Sequence, residues 1–176
     1  MEKKVRREDI YSGRVIEVYK DEVELDDHTR SYREIVSHHG GACIALKTKH
    51  NTYYMVKQYR YALGDEMLEF CAGKLEKGED PKDAILRESE EELGYKVENL
   101  CELGYMVPTC GYSTEKIYLY YGEAGEYVGE HFDVDERLTT YEFTLEEIKE
   151  MIRNNTIHDA KTVCVVAKME LMGLDK

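Results

Sequence analysis

Four carboxylates fall within five consecutive residues, Glu88, Glu90, Glu91 and Glu92, interrupted only by Ser89. Local chemistry places them on a helix. Asp80 is a suitable N-cap, Pro81 fits the first helical position, Asp83 favours the positive end, and Gly94 can close the C-terminus in a left-handed turn. The acidic run therefore sits at the end of the helix where negative charge is least welcome. At about 100° per residue, Glu88 and Glu92 differ by roughly 40° and Glu91 lies roughly 60° to the other side of Glu88, so all three share an arc of about 100°. Each like-charged pair at this spacing costs a few tenths of a kcal/mol, and Arg87 offsets only part of it. A hard divalent cation that takes oxygen ligands converts such repulsion into binding, as magnesium sites do. The competing reading is a solvated acidic face.

The surrounding positions decide between the two. Gly73, Glu79, Arg87, Glu88, Glu91, Glu92 and Gly94, in the stretch from Gly73 to Tyr95, resemble the loop-helix-loop box of the Nudix hydrolases, which cleave nucleoside diphosphates linked to another group. Ser89 departs from that pattern, standing where the family usually has an aliphatic residue packing under the helix.

The 176 residues fit one domain with a substantial core. A formal net charge of -13 argues against a nucleic-acid backbone or an anionic membrane as partner. A small anionic substrate stays compatible if cations and a few arginines reverse the sign locally. Five cysteines, Cys43, Cys71, Cys101, Cys110 and Cys164, have neither zinc-knuckle nor redox spacing and read as reduced thiols. No signal-peptide profile opens the chain and no apolar run approaches bilayer length, so a cytoplasmic location is expected.

Polar-apolar alternation at residues 14–20, 22–25 and 31–36, with a turn at Asp26-Asp27-His28, predicts a small antiparallel sheet within residues 1–40. It is too thin to be stable alone. After the break at Gly40-Gly41, strands are expected over 42–47, 53–58, 67–72, 100–107, 116–123 and 139–143. The box helix falls among them, and further helices over 145–153 and 159–172 follow an acidic stretch from Gly122 to Glu136. Strands with helices on both sides predict an α/β class with a mixed sheet. The resemblance implies the same: a Nudix-type α/β/α sandwich over 41–176, with the small N-terminal sheet over 1–40. Fifteen tyrosines read as core or sheet surface, a minority of such residues stacking on bases.

Outside the box, Arg33 to Val36, Val56 to Tyr61, Leu68 to Lys74, Pro108 with Gly111 to Lys116, and Ile157 to Thr162 are similar to the ADP-ribose pyrophosphatase branch of the family. Cys71 replaces the proline usual before Ala72-Gly73. The resemblance implies Mg2+, with Mn2+ as a substitute, held by Glu88, Glu92 and the Ala72 carbonyl, with Glu91 sharing a further ion. It also implies that Gly73, Glu79, Arg87 and Gly94 shape the box, Arg87 orienting the glutamates because an arginine is no base at neutral pH; a surface charge at the helix start is the alternative reading of Glu79. Glu136 resembles the water-activating carboxylate of a loop after the box, with Glu91 as the substitute; a solvated acidic loop is the alternative reading of Glu136. Arg33 and Arg60 are the cations expected at the diphosphate or terminal ribose, Glu69 the acceptor for a ribose hydroxyl, and Tyr32 the base-stacking ring; subunit contacts are the competing role for both arginines. The histidines show no ligand spacing.

The expected activity is hydrolysis of ADP-ribose to AMP and ribose 5-phosphate. GDP-mannose or another nucleoside diphosphate sugar is an alternative substrate, and a nucleotide-sensing module without turnover or an acidic scaffold are alternatives of another class. The resemblance further implies a homodimer formed through the N-terminal sheet.

Overall fold

The computed structural model of the chain describes residues 1–132 and 137–175. Lys3–Ser12 (β1), Ile16–Glu24 (β2) and Arg30–His38 (β3) form an antiparallel sheet in the order β1-β2-β3. The β2–β3 turn lies at the expected residues: Leu25 donates its N–H to the Thr29 carbonyl, Asp27 accepts from the Thr29 N–H and hydroxyl, and His28 takes a positive φ of 64°. The two alternating segments expected at 14–20 and 22–25 are one strand, β2. The sequence reading did not anticipate β1, because its ten residues are all exposed and mix charges of both signs, leaving no buried face to impose a period.

The chain divides into two compact units. The first comprises Met1–Gly40 together with Val107–Lys116, the second Gly41–Met106 with Ile117–Lys176. Within the first unit, the 107–116 loop is tied to β3. Val36 donates to the Tyr112 carbonyl (2.8 Å), Thr114 N–H donates to the Val36 carbonyl (3.0 Å), and the Thr114 hydroxyl accepts from the His38 N–H (3.0 Å).

The second unit is built on Gly41–Lys47 (β4), Tyr53–Arg60 (β5), Asp65–Glu69 (β6), Cys71–Lys74 (β7), Pro81–Leu93 (α1), Tyr95–Met106 (β8), Ile117–Tyr127 (β9), Leu138–Phe143 (β10), Leu145–Arg153 (α2) and Ala160–Met172 (α3). The central order is β10-β5-β4-β9-β8, with β6 beside β5 and β7 beside β4. The β4–β9 pair is parallel and the others antiparallel, so the sheet is mixed as expected. The single strand expected at 67–72 is two, β6 and β7, separated at the fully buried Phe70.

The period of two along β4 divides the core. Ala42, Ile44 and Leu46 pack with Ile85 and Leu93 of α1, whereas Cys43 and Ala45 pack with Ile148 of α2 and Val165, Val166 and Met169 of α3. Both faces of β4 are therefore covered, which is why all six of its first residues are buried. Among the described residues no helix is long and apolar enough to cross a membrane.

Candidate active site

The ends of α1 are set by the residues expected to set them. Asp80 accepts from the Lys82 N–H (2.8 Å), Pro81 opens the helix, and Gly94 closes it at φ 73° with its N–H donating to the Glu90 carbonyl. Ser89, the departure from the family pattern, is fully buried, and its hydroxyl donates to the Ile85 carbonyl one turn back (2.7 Å). That bond satisfies the polar group within the helix, so the position stays under α1 without an aliphatic side chain.

Arg87 collects the acidic side chains of the box. Its Nη1 donates to Glu88 Oε1 (3.0 Å) and Glu91 Oε2 (2.8 Å), and its Nε and Nη2 reach the two oxygens of Glu79 (3.2 and 3.4 Å). Glu79 in turn accepts from the Glu76 N–H (2.8 Å), which fixes the loop before the helix. Burial pushes the Arg87 guanidinium down, but Glu79, Glu88 and Glu91 carry it above its ordinary value, so it stays charged. Glu79 shows the complementary balance: burial raises it, and the bonds from Arg87 and the Glu76 N–H bring it below the usual carboxylate range.

The same helix face meets β7. A Cβ placed on Gly73 would lie 1.9 Å from Glu88 Cδ, so only glycine lets the strand backbone and this carboxylate approach so closely. Glu92 is 2% exposed, and the buried Cys71 thiol is pushed up first by burial and then by the Glu92 charge. Cys71 and Gly73 flank Ala72, whose carbonyl is the expected backbone donor. The structure thus brings Ala72, Gly73, Glu79, Arg87, Glu88, Glu91 and Glu92 together where β7 meets α1, while Gly94 closes the helix against the 127–130 segment. Among the described residues no three carboxylate, thiol or imidazole groups converge on one point as a ready cluster; Glu88 and Glu91 turn to Arg87 instead. The donors at this junction are carboxylate and carbonyl oxygens, the set that a hard divalent cation takes, and Gly73 lets the Glu88 carboxylate lie close against the strand.

Arg60 and Glu69 are also brought together. Arg60 Nε and Nη2 grip the two Glu69 oxygens at 2.7 Å each, and Lys161 Nζ donates to the same carboxylate. Glu69 is 2% exposed, with both oxygens engaged by these cations. Tyr32 and Arg33 lie on β3 in the first unit. The Tyr32 ring is exposed beneath Lys20, whose Nζ is 4.3 Å from the ring centroid. Arg33 is paired with Glu2 and donates to Ser31 Oγ and the Tyr32 carbonyl. Glu136 lies outside the described residues.

The stretch Ile157 to Thr162 was singled out for its resemblance, but neither Asp159 nor Lys161 was given a role; the local signal was Asp159 three residues ahead of Thr162, an N-cap spacing.

The family profile for the NUDIX domain matches residues 37–164. A protein named methanol dehydrogenase activator, from Bacillus methanolicus, is 40% identical over 97% of this chain and 93% of its own length. One named ADP-ribose pyrophosphatase, from Bacillus subtilis, is 36% identical over the same shares. A GDP-mannose pyrophosphatase from Yersinia enterocolitica is 33% identical over 86% of each chain. A solved structure titled as that of an ADP compounds hydrolase superposes with a TM-score of 0.85 over 97% of this chain and 93% of the other, at 16% identity, a likeness of fold. With seven box positions from Gly73 to Gly94 in place and the profile covering most of its length, the chain belongs to the NUDIX family of hydrolases.

Proposed function

We propose that the chain hydrolyses the pyrophosphate bond of ADP-ribose, releasing AMP and ribose 5-phosphate, with Mg2+ as its cofactor and Mn2+ as a substitute. The observation that carries this reading is the junction of β7 with α1, where Gly73 admits Glu88 against the strand and Arg87 gathers the neighbouring carboxylates. The 36% identity to a named ADP-ribose pyrophosphatase supports the substrate.

Glu88, Glu92 and the Ala72 carbonyl would hold the ion, with Glu91 available to a further one. Bound there, a divalent ion neutralises phosphate charge and lowers the pKa of coordinated water. The rest of the work falls to the chain. Arg87, anchored by Glu79, keeps Glu88 and Glu91 in place. Arg60 meets the diphosphate. Water adds to one phosphorus while the bond to the bridging oxygen breaks, and that oxygen leaves with the other phosphate. A carboxylate takes the proton of the attacking water, the role assigned to Glu136, or to Glu91 in its place.

Two further readings have an observation behind them. The GDP-mannose pyrophosphatase at 33% identity favours a different nucleoside diphosphate sugar at the same carboxylates. The 40% identity to a named dehydrogenase activator favours service to a partner protein. A panel of ADP-ribose, GDP-mannose and related sugars, assayed for nucleoside monophosphate release with magnesium, separates them. The expected result is a kcat/KM for ADP-ribose at least tenfold above that for GDP-mannose. Equal inactivity on every member would overturn the hydrolase reading.

Residues 1–40 are proposed as a dimerisation element beside a catalytic domain over 41–176, in a cytoplasmic homodimer. Support comes from β1, where Val5, Ile10 and Tyr11 are exposed, and from an open hollow of about 790 Å³ between Ile10, Tyr32 and Tyr112. The five free cysteines suit a reducing compartment. Light scattering is expected to give twice the chain mass of 20.5 kDa, and a well-folded monomer of that mass would contradict the dimer.

A further inference from the structure

Nine positions separate Arg60 from Glu69 and ninety-two separate Glu69 from Lys161, yet the three charges meet in one buried network. Its geometry is a closed ring. Lys161 Nζ donates to Glu69 Oε2 and to Asp159 Oδ1 (2.9 Å). Asp159 Oδ2 accepts from the Thr162 N–H (2.9 Å) and hydroxyl (2.7 Å), capping α3. The Thr162 hydroxyl oxygen accepts from the Phe70 N–H (3.0 Å), and Phe70 follows Glu69 in the chain. Two cations, Arg60 and Lys161, balance two anions, Glu69 and Asp159, so the ring is neutral as a set, the condition under which burial of charge is tolerable.

The members differ in access. The Lys161 side chain is 12% exposed and Glu69 and Thr162 are buried, while the Arg60 side chain is 38% exposed. Arg60 grips Glu69 side-on through Nε and Nη2, which turns its Nη1 end away from the carboxylate. Arg60 is thus the outward-facing end of a device whose anchor is Lys161.

We propose that Lys161 is a positioning residue: by holding the buried Glu69 carboxylate in place and sharing its charge, it fixes the Arg60 guanidinium in the orientation that receives the substrate diphosphate. This inference rests on the reading that Arg60 meets the diphosphate. Without Lys161, Arg60 is the one cation among the described residues left paired with Glu69, and any anion drawing on Arg60 must leave a buried carboxylate uncompensated. The loss falls on binding and spares the box carboxylates, so KM changes and kcat does not.

The test is steady-state kinetics on ADP-ribose with magnesium for the full chain and for Lys161→Met, Lys161→Arg, Glu69→Gln and the Glu69→Gln/Lys161→Met pair. Calorimetric binding of ADP-ribose to Glu92→Gln with and without Lys161→Met adds a readout free of turnover. Lys161→Met is expected to raise KM about tenfold with kcat within twofold of the parent, and to weaken ADP-ribose binding by the same factor. Lys161→Arg, which keeps the charge, is expected to restore KM to within about threefold. In the Glu69→Gln background Lys161→Met should add no further increase. Should Lys161→Met fail to fold, Lys161→Arg and the double variant carry the test. An unchanged KM, a loss confined to kcat, or fully additive effects of the two substitutions would overturn the positioning role while leaving the hydrolase reading intact. A parent chain inactive on ADP-ribose and on the other sugars would overturn the hydrolase reading first, and this inference with it.

Discussion

Glu92→Gln is expected to lower kcat for ADP-ribose by about 10³-fold, equivalent to ~4 kcal/mol of transition-state stabilisation, with the fold intact. The substitution keeps side-chain size and removes one charge. Glu92 is buried at the end of a helix whose dipole disfavours negative charge, and it belongs to an arc shared with Glu88 and Glu91. Removing its charge relieves repulsion, so the melting temperature should hold or rise while activity collapses. This opposition identifies a residue kept for chemistry at the expense of stability. Circular dichroism melts beside kinetics check both halves. A Glu92→Gln enzyme with parental kcat would show that the carboxylate does nothing for the reaction.

Gly94→Ala should cost about 2–5 kcal/mol of stability, a fall in melting temperature of about 4–20 °C. Two effects add. The φ of 73° lies in the left-handed region, which costs a side-chain-bearing residue about 1–2 kcal/mol. A Cβ there would also meet Tyr127 Cε2 at 2.6 Å and the backbone at Gly129 C and Glu130 N, both at 3.0 Å, an overpacking worth about 1–3 kcal/mol. The segment it would displace docks on the end of α1, with Val128 N–H donating to the Gly94 carbonyl (2.8 Å) and His131 N–H to the Glu91 carbonyl (2.9 Å). Activity should therefore fall along with stability. Calorimetric melting checks the first effect, and a shift below about 2 °C would mean that neither strain nor overlap operates.

What the sequence disclosed and what it hid follow a physical division. The ends of α1 were legible because Asp80, Pro81 and Gly94 act on backbone groups within a few residues. Strand β4 was legible because burial on both faces leaves an apolar run. β1 was not, since an exposed strand carries no burial period, and the break between β6 and β7 was not, since it falls at a buried Phe70 with no glycine, proline or other turn residue to mark it. At the site, the box residues were expected together and lie together, because a helix face and an adjoining strand need only local spacing. The partners of Glu69 were out of reach: Lys161 meets it across ninety-two positions, a pairing created by packing α3 against the sheet. The same limit hid Glu2 as the partner of Arg33.

The most direct measurement is divalent-ion binding itself, followed by Mn2+ electron paramagnetic resonance titration of the parent chain and of Glu92→Gln in the presence of AMP. A hydrolase built on these carboxylates predicts saturable Mn2+ binding in the parent that is displaced by Mg2+ and weakened at least tenfold in Glu92→Gln. Equal Mn2+ binding by the two proteins, together with equal hydrolysis of ADP-ribose, would contradict it.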